Sequence, residues 1–456
     1  MSILGTVQRP LRVAIVGAGP SGFYSAATLF KQNFNVKVDM FEKLPAPFGL
    51  VRYGVAPDHE KIKNVTKIFE KTASDPRFSF FGNVTIGEDI TVLELKEFYD
   101  VTIFSYGTET DRRLGIQGEN LKGCHTATQF IGWYNSNPKF KDCSFDFSQE
   151  VVAIIGQGNV ALDIARILCS TKEELQKTDI SSQAIEALEN SCVKEVHLYG
   201  RRGPLQVSFT PQEIKEIGEL MDCYPVVDPQ DLNLTVEGVD SLQLKNLEIL
   251  KSYALNPQSK NRRRKFVLHF NRTPVEIIGK EQIEKVKFEI NEPVGNSDQK
   301  IVHKTRRLEE IQCGLFFTSI GYQGIAMPGV PFLSQKGIIP NRLGRILDGD
   351  NVISGWYSCG WIGSGASGVI GTNKLRAEET VSSIMEDIPH LPVCENPNTD
   401  AVINLLKERN VEAVSFIDWK KIDAHEIMLG LSLGKPREKI DNVSQMLSIT
   451  KNEHSH

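Results

Sequence analysis

Two glycine clusters and the residues that follow each of them carry most of the chemistry legible in this chain. Gly156, Gly158 and Ala161 stand as G-x-G-x-x-A directly after the β-branched run Val151 to Ile155, and Val160 to Leu168 has apolar residues at helical period. Such glycines permit a tight turn. They let the backbone approach a pyrophosphate held at a helix N-terminus, where unpaired N–H groups face the anion. The strand expected at Val196 to Tyr199 ends at Arg201 and Arg202, where a site for an unphosphorylated ribose would carry Asp or Glu. Two guanidinium groups suit a dianionic 2′-phosphate, so this second fingerprint reads as an NADP(H) site.

A first fingerprint precedes it. Leu11 to Val16 reads as a strand, followed by Gly17, Gly19 and Gly22 as G-x-G-x-x-G, a helix through Ala26 and Leu29, and a strand from Val36 that ends at Glu42. Here the ribose-binding acid is kept. Two pockets of opposite ribose chemistry imply two dinucleotides, and FAD in the first with NADP(H) in the second is the economical assignment.

The elements around these sites follow from punctuation and periodicity. Pro45 to Pro57 is dense in proline and glycine and reads as a fixed loop, either walling a flat ring system or simply packing at the surface. Asp58-His59-Glu60 opens a helix through Ile62, Val65 and Phe69. His59 is either a proton donor near a flavin or an ordinary helix-start histidine. Phe78 to Ile86 and Val101 to Ser105 read as strands, and the aromatics Phe130, Trp133 and Tyr134 as core. Residues 222–261 read as polar and irregular. A strand at Val352 to Cys359 leads into a glycine-rich run, Gly360 to Thr372, whose following helix, from Val369, would turn its N–H groups to a flavin's carbonyl edge.

The expected fold class is thus α/β with two Rossmann-like dinucleotide-binding domains, the NADP domain (108–321) inserted into a discontinuous FAD domain (1–107 and 322–456). A chain of 456 residues suits two cores. A net charge of −5 gives no reason to expect nucleic-acid binding, and no apolar run reaches membrane-spanning length. The eight cysteines include no C-x-x-C pair, which excludes a disulfide-reductase site and a cysteine-ligated cluster and fits a reducing compartment. No metal site is expected. The first strand begins near Leu11, too early for a presequence to be visible.

With these motifs in hand, the chain resembles the adrenodoxin reductase family of ferredoxin–NADP+ reductases, whose fold pairs FAD and NADP domains as in glutathione reductase. The resemblance rests on Gly-Ala-Gly-Pro-Ser-Gly-Phe-Tyr (17–24), Pro-Phe-Gly-Leu-Val-Arg-Tyr-Gly-Val-Ala-Pro-Asp-His (47–59), Gly-Gln-Gly-Asn-Val-Ala-Leu-Asp (156–163) and Gly-Arg-Arg-Gly-Pro-Leu-Gln-Val (200–207). Val-Ser-Phe-Ile-Asp-Trp (414–419) and Gly-Lys-Pro-Arg-Glu-Lys (434–439) extend it almost to the C-terminus.

The resemblance implies FAD contacts at Gly17, Gly19, Pro20, Ser21, Gly22, Glu42, Leu50, Ile86, Trp361, Gly368, Val369 and Ile370. It implies NADP contacts at Gly156, Gln157, Gly158, Asn159, Val160, Arg201, Arg202, Glu213 and Gly368. After the tryptophan the family's pattern has Lys or Arg, then Gly-Pro-Thr. Here Gly363-Ser364-Gly365-Ala366-Ser367 has neither the charge nor the proline. That departure bears on any cationic contact made from the loop, not on flavin binding.

The implied reaction is hydride transfer from NADPH to FAD, then single-electron transfers to a small acidic [2Fe-2S] ferredoxin serving haem monooxygenases or iron–sulfur assembly. His59 and Asp163 are the polar groups expected to couple to it. Lys215 and the run Arg262, Arg263, Arg264 and Lys265 are either a solvated face or the docking site of that acidic partner. The resemblance also implies a monomer in the mitochondrial matrix, peripheral at the inner membrane. The rival readings are a flavin monooxygenase, recognised by oxygen consumption without ferredoxin, and a non-catalytic nucleotide-binding scaffold, recognised by a colourless protein.

Overall fold

The computed structural model describes residues 4–234, 238–255, 262–292 and 302–451. Two largely parallel sheets organise them. The first has seven strands in the order Asn341–Arg342, Arg345–Asp348, Asn351–Ser358, Val101–Phe104, Leu11–Val16, Val36–Glu42 and Phe78–Gly82. Its last five strands run parallel, and the first two form an antiparallel edge. All six residues of Leu11–Val16 are buried, because both faces of the sheet are covered. Val13 and Ile15 pack towards the helices Pro20–Leu29 and Thr372–Asp387, which lie against each other. Ala14 and Val16 pack on the opposite side with Phe41, Phe104, Trp356 and Leu406.

The second sheet has six strands, all parallel, in the order Cys124–Thr126, Leu315–Thr318, Val151–Ile155, Glu195–Tyr199, Arg264–His269 and Cys223–Val227. Val152 and Ile154 bury against Leu162 and Ala165 of the helix Asn159–Cys169 and against Phe130, Trp133 and Tyr134. Ala153 and Ile155 face the other way, towards a three-stranded antiparallel sheet of Arg272–Ile278, Lys285–Glu292 and His303–Gln312, through Ile277, Val286 and Phe288. The chain passes between the two sheets at Thr110–Asp111 and again at Tyr322–Gln323, and these segments pair antiparallel with each other. A C-terminal helix, Phe416–Ser432, starts at a Ser415/Asp418 capping box and carries Glu426, whose buried carboxylate pairs with Arg52. Farther along, Lys435 and Lys439 are almost wholly buried against residues 135–182 of the second body.

Some elements differ from the sequence reading. Within 222–261 the chain forms the strand Cys223–Val227 and a 15-residue helix, Ser241–Leu255; residues 235–237 and 256–261 lie outside the described residues. That helix buries Leu247, Leu250 and Tyr253 while exposing Leu242, Leu244 and Leu255, so its apolar residues encircle it and blur the period. The strand from Phe78 stops at Gly82, followed by Asn83 in the left-handed region at φ 58°. The helix after His59 is two pieces, Glu60–Lys63 and Thr66–Ala73. The glycine-rich run delays its helix to Thr372, because Gly368 takes φ 81°.

Candidate active site

At the first fingerprint, each glycine answers a different demand. Gly17 (φ 105°) follows the strand where a Cβ would meet the Tyr106 backbone at 2.6 Å, and a Cβ on Gly22 would meet the Gly17 carbonyl at 2.4 Å. A Cβ on Gly19 would meet nothing within 4 Å. Gly17 and Gly22 are therefore required by the fold, whereas Gly19 borders open space at the start of the helix Pro20–Leu29, where N–H groups lack intrahelical partners. Glu42, at the end of its strand, accepts from the N–H of Ala18 (3.0 Å) and Leu44 (3.2 Å). Burial holds its carboxyl above the usual carboxylate range despite those bonds.

The loop at 47–50 folds over this turn. The Phe48 N–H donates to the Ala18 carbonyl (2.8 Å), and Gly49 packs on Gly19, which brings half-exposed Leu50 beside the glycines. Ser21 donates to Asn373 Oδ1 (3.1 Å) and packs under Gly360, so the segment before Trp361 and the helix that follows residues 368–370 meet the same turn from the far end of the chain. Ile86 is buried in the core on the opposite face of the sheet from these helices.

The second fingerprint repeats the logic. A Cβ on Gly156 (φ 130°) would lie 2.0 Å from the Ser319 carbonyl oxygen, whereas one on Gly158 would meet nothing. The side chains of Gln157 and Asn159 serve the protein itself. Gln157 donates to the His269 carbonyl (3.0 Å), and Asn159 accepts from the Thr210 N–H (2.9 Å). Their backbone is what remains for a ligand, and half-buried Val160 packs against the core. The turn after Tyr199 is pinned through its carbonyls, Arg201 by Asn291 Nδ2 (2.8 Å) and Arg202 by the Asn271 N–H (3.0 Å). Among the described residues neither guanidinium has a hydrogen bond or an ion pair. Burial and the charge of Arg201 both lower the pKa of Arg202. Two neighbouring cations without an anion are the donor set a phosphate monoester requires.

Between the fingerprints lies a cluster that the sequence reading captured only in part. Arg166, on the helix that starts at the second fingerprint, donates to Asp58 (2.5 and 3.1 Å), Asp163 (2.6 Å) and Glu213 (3.2 Å), and lies 3.5 Å from Glu216. His59 Nε2 stands 2.9 Å from Glu216 and 3.7 Å from Glu213, and Nδ1 stands 4.0 Å from Asp163. His59 and Asp163 are thus brought together. Glu213, expected as a nucleotide contact, lies in the same cluster, while Asp58, Arg166 and Glu216 were missed.

Four carboxylates share one guanidinium and one imidazole, so the cluster retains protons near neutrality. Burial, reinforced by Asp163, pushes Glu213 up to about 7. Burial also raises Asp163, against the pull of Arg166. Burial alone would lower His59, but the hydrogen bond to Glu216 and the charges of Asp163 and Glu213 outweigh it and hold the imidazole above its usual value. His59, Glu213 and Glu216 bring ligand atoms within 4.8 Å of one another. Arg166 already supplies the positive charge there, which leaves little demand for a metal ion.

The expected docking cations are largely occupied. Arg262 donates to the Cys223 carbonyl, Arg263 pairs with Asp222, Arg264 donates to the Ser170 carbonyl and Lys265 pairs with Glu195. Lys215 pairs with Glu219 one turn along its helix. The basic run therefore folds into the second sheet and its neighbours, and only Arg263 extends far into solvent.

Residues 15–83 match the model of the NAD(P)-binding Rossmann-like domain. The chain is 41% identical to NADPH-ferredoxin reductase FprA of Mycobacterium tuberculosis, over 97% of this chain and 99% of that one. It is 39% identical to mitochondrial NADPH:adrenodoxin oxidoreductase of Homo sapiens, over 97% and 93%. The chain belongs to the ferredoxin and adrenodoxin reductase family. The solved structure of M. tuberculosis FprA in complex with NADPH superimposes with a TM-score of 0.92 at 40% identity, covering 97% of this chain and 100% of that one. Membership of this reductase family covers both sheets, since nearly the full length is matched. No helix among the described residues is long and apolar enough to cross a membrane.

Proposed function

We propose that this protein is an NADPH:ferredoxin oxidoreductase of the adrenodoxin reductase type. The observation that carries the reading is the asymmetry of the two turns, a half-buried carboxylate (Glu42) at one and a cation pair (Arg201, Arg202) without a partner among the described residues at the other, within a family whose relatives are named for NADPH and for a ferredoxin. Bound FAD would accept a hydride from NADPH and release electrons singly, linking a two-electron donor to a one-electron iron–sulfur carrier.

The chain's own residues bind and orient. Residues 1–107 with 322–456 hold FAD through Gly17, Gly19, Pro20, Ser21, Gly22, Glu42, Leu50, Ile86, Trp361 and 368–370. Residues 108–321 hold NADP(H) through Gly156 to Val160, Arg201, Arg202 and Glu213, with Gly368 reaching across. The open space at Gly19 and Gly158 supports backbone approach to two pyrophosphates. Asp163 and His59 keep protons at the junction, with Arg166 fixing the carboxylates around them.

The partner is a small acidic [2Fe-2S] ferredoxin. Because the run 262–265 is engaged within the fold, Arg263 and Lys215 are the members of the expected footprint that retain exposure. A monomer in mitochondria is the finer reading. It draws on the vertebrate relatives named as mitochondrial, while mycobacterial relatives match equally well, so cell fractionation and size-exclusion chromatography decide it. The primary test is NADPH-dependent cytochrome c reduction with and without an added acidic [2Fe-2S] ferredoxin. Strong dependence on the ferredoxin supports the proposal. A colourless protein, or NADPH oxidation by oxygen that ferredoxin leaves unchanged, overturns it.

A further inference from the structure

The loop that departs from the family pattern has acquired a cation from elsewhere. Arg376 lies on the second turn of the helix Thr372–Asp387, and its Nη2 donates to Ser367 Oγ at 3.0 Å. Its Nη1 is buried and has no partner among the described residues. The carbonyl of the same Ser367 accepts from Trp361 Nε1 at 3.1 Å, and the Trp361 ring stacks on Tyr322 with centroids 5.9 Å apart. One serine therefore joins the helix, through Arg376, to the indole at the start of the loop.

The rest of the loop is held by local bonds, the Asn373 N–H donating to the Ile370 carbonyl (3.1 Å) and Ser364 Oγ to the Gly365 carbonyl (3.2 Å). Gly365 and Gly368 take φ 78° and 81°, Gly371 borders open space, and Val369 is 62% exposed. Closure at the far end relies on Thr372, which bonds the Val369 carbonyl through its N–H and its hydroxyl. A run this rich in glycine has many accessible conformations. It presents one surface only if something outside it fixes Ser367.

We propose that Arg376 is a positioning residue for the bound nicotinamide dinucleotide. Its Nη2 fixes Ser367 and with it the segment 365–370, against which the dinucleotide is seated. The inference rests on the proposed function, since it needs an NADP(H) molecule reaching from the second fingerprint to Gly368. A glycine-rich loop held in one conformation before binding has less ordering left to do in the complex. Arg376 then strengthens dinucleotide binding through Ser367, without touching the nucleotide.

The test is calorimetric titration of NADP+ into the flavin-containing protein, comparing wild type with Arg376→Ala, Arg376→Lys and Ser367→Ala. Steady-state NADPH kinetics and the visible flavin spectrum are read alongside. The expected result is a rise of at least tenfold in Kd for NADP+ in Arg376→Ala and a rise of the same order in Ser367→Ala. Arg376→Lys recovers part of the loss, and the NADPH/NADH preference set by Arg201 and Arg202 stays unchanged. A purely structural role would lower the melting temperature and flavin content together without this split. Equal NADP+ affinity in wild type and Arg376→Ala overturns the inference alone, as does loss of flavin with intact NADP+ affinity. Failure of the wild type to bind NADP+ overturns both the inference and the function it rests on.

Discussion

Replacing Arg201 and Arg202 together by alanine would convert the second site from one that demands a 2′-phosphate to one indifferent to it. Arg201 is exposed and Arg202 half-buried, and both are anchored through their carbonyls, so truncation leaves the turn in place. A hydrogen bond to a charged group contributes ~1.5–3 kcal/mol. Exposure puts Arg201 at the low end of that range, so the pair is worth about 3 kcal/mol towards NADPH. At 1.4 kcal/mol per tenfold, the ratio of kcat/KM for NADPH over NADH falls by about two orders of magnitude. The fall resides in NADPH alone. NADH, which lacks the phosphate, is used as well as before. The assay is initial-rate reduction of an artificial acceptor with each nucleotide, which bypasses the ferredoxin. A ratio within threefold of wild type, or an equal loss for both nucleotides, would refute the reasoning.

The glycines separate fold from ligand contact. Gly158→Ala, whose Cβ meets no protein atom, should melt like wild type yet raise KM for NADPH, whereas Gly156→Ala, 2.0 Å from the Ser319 carbonyl, should lower the melting temperature and cut soluble yield. Arg166→Met would strand four carboxylates, at a cost of about 3–5 kcal/mol at pH 8. Asp58, Asp163, Glu213 and Glu216 can each take up a proton, so this deficit in thermal unfolding should shrink as pH falls towards 5.5, and a pH-independent deficit would count against it. Glu213 has its folded pKa raised to about 7, so its ionised form is penalised in the fold, fully above that pH and not at all below its unfolded value. Glu213→Gln, which keeps an acceptor for Arg166, should therefore stabilise by about 1–2 kcal/mol at pH 8 and by nothing near pH 4; a gain that grows as pH falls would contradict the assignment.

What could be read from the sequence was local and periodic. Strand, glycines, helix, strand and terminal residue fall within a few tens of positions of one another at both fingerprints, so their chemistry is written in a spacing. The charged cluster has no such signature. Arg166 reaches Asp58 across 108 positions and Glu213 across 47, and only the fold brings them together. His59 and Asp163 could be picked out as polar residues near a motif, but the guanidinium that organises them sits on a helix face that reads as core. The partners of the basic run at 262–265 were hidden for a related reason. Its counter-charges are Glu195, on a neighbouring strand, and Asp222, in the turn before another, and a run of like charges looks unpaired until those strands are beside it. The helix Ser241–Leu255 was lost because its leucines point both inward and outward.

The short ribbon formed by Thr110–Asp111 and Tyr322–Gln323 has a topological outcome. Residues 112–321 depart from the rest of the molecule and rejoin it one strand-spacing away, about 5 Å. A short turn could splice residue 111 to residue 322, or tie the ends of the excised middle portion, with hardly any span to cover. The covalent links between the two halves thus share a single doorway, while Asp58 with Arg166 and Lys439 with Asp179 tie the halves together elsewhere.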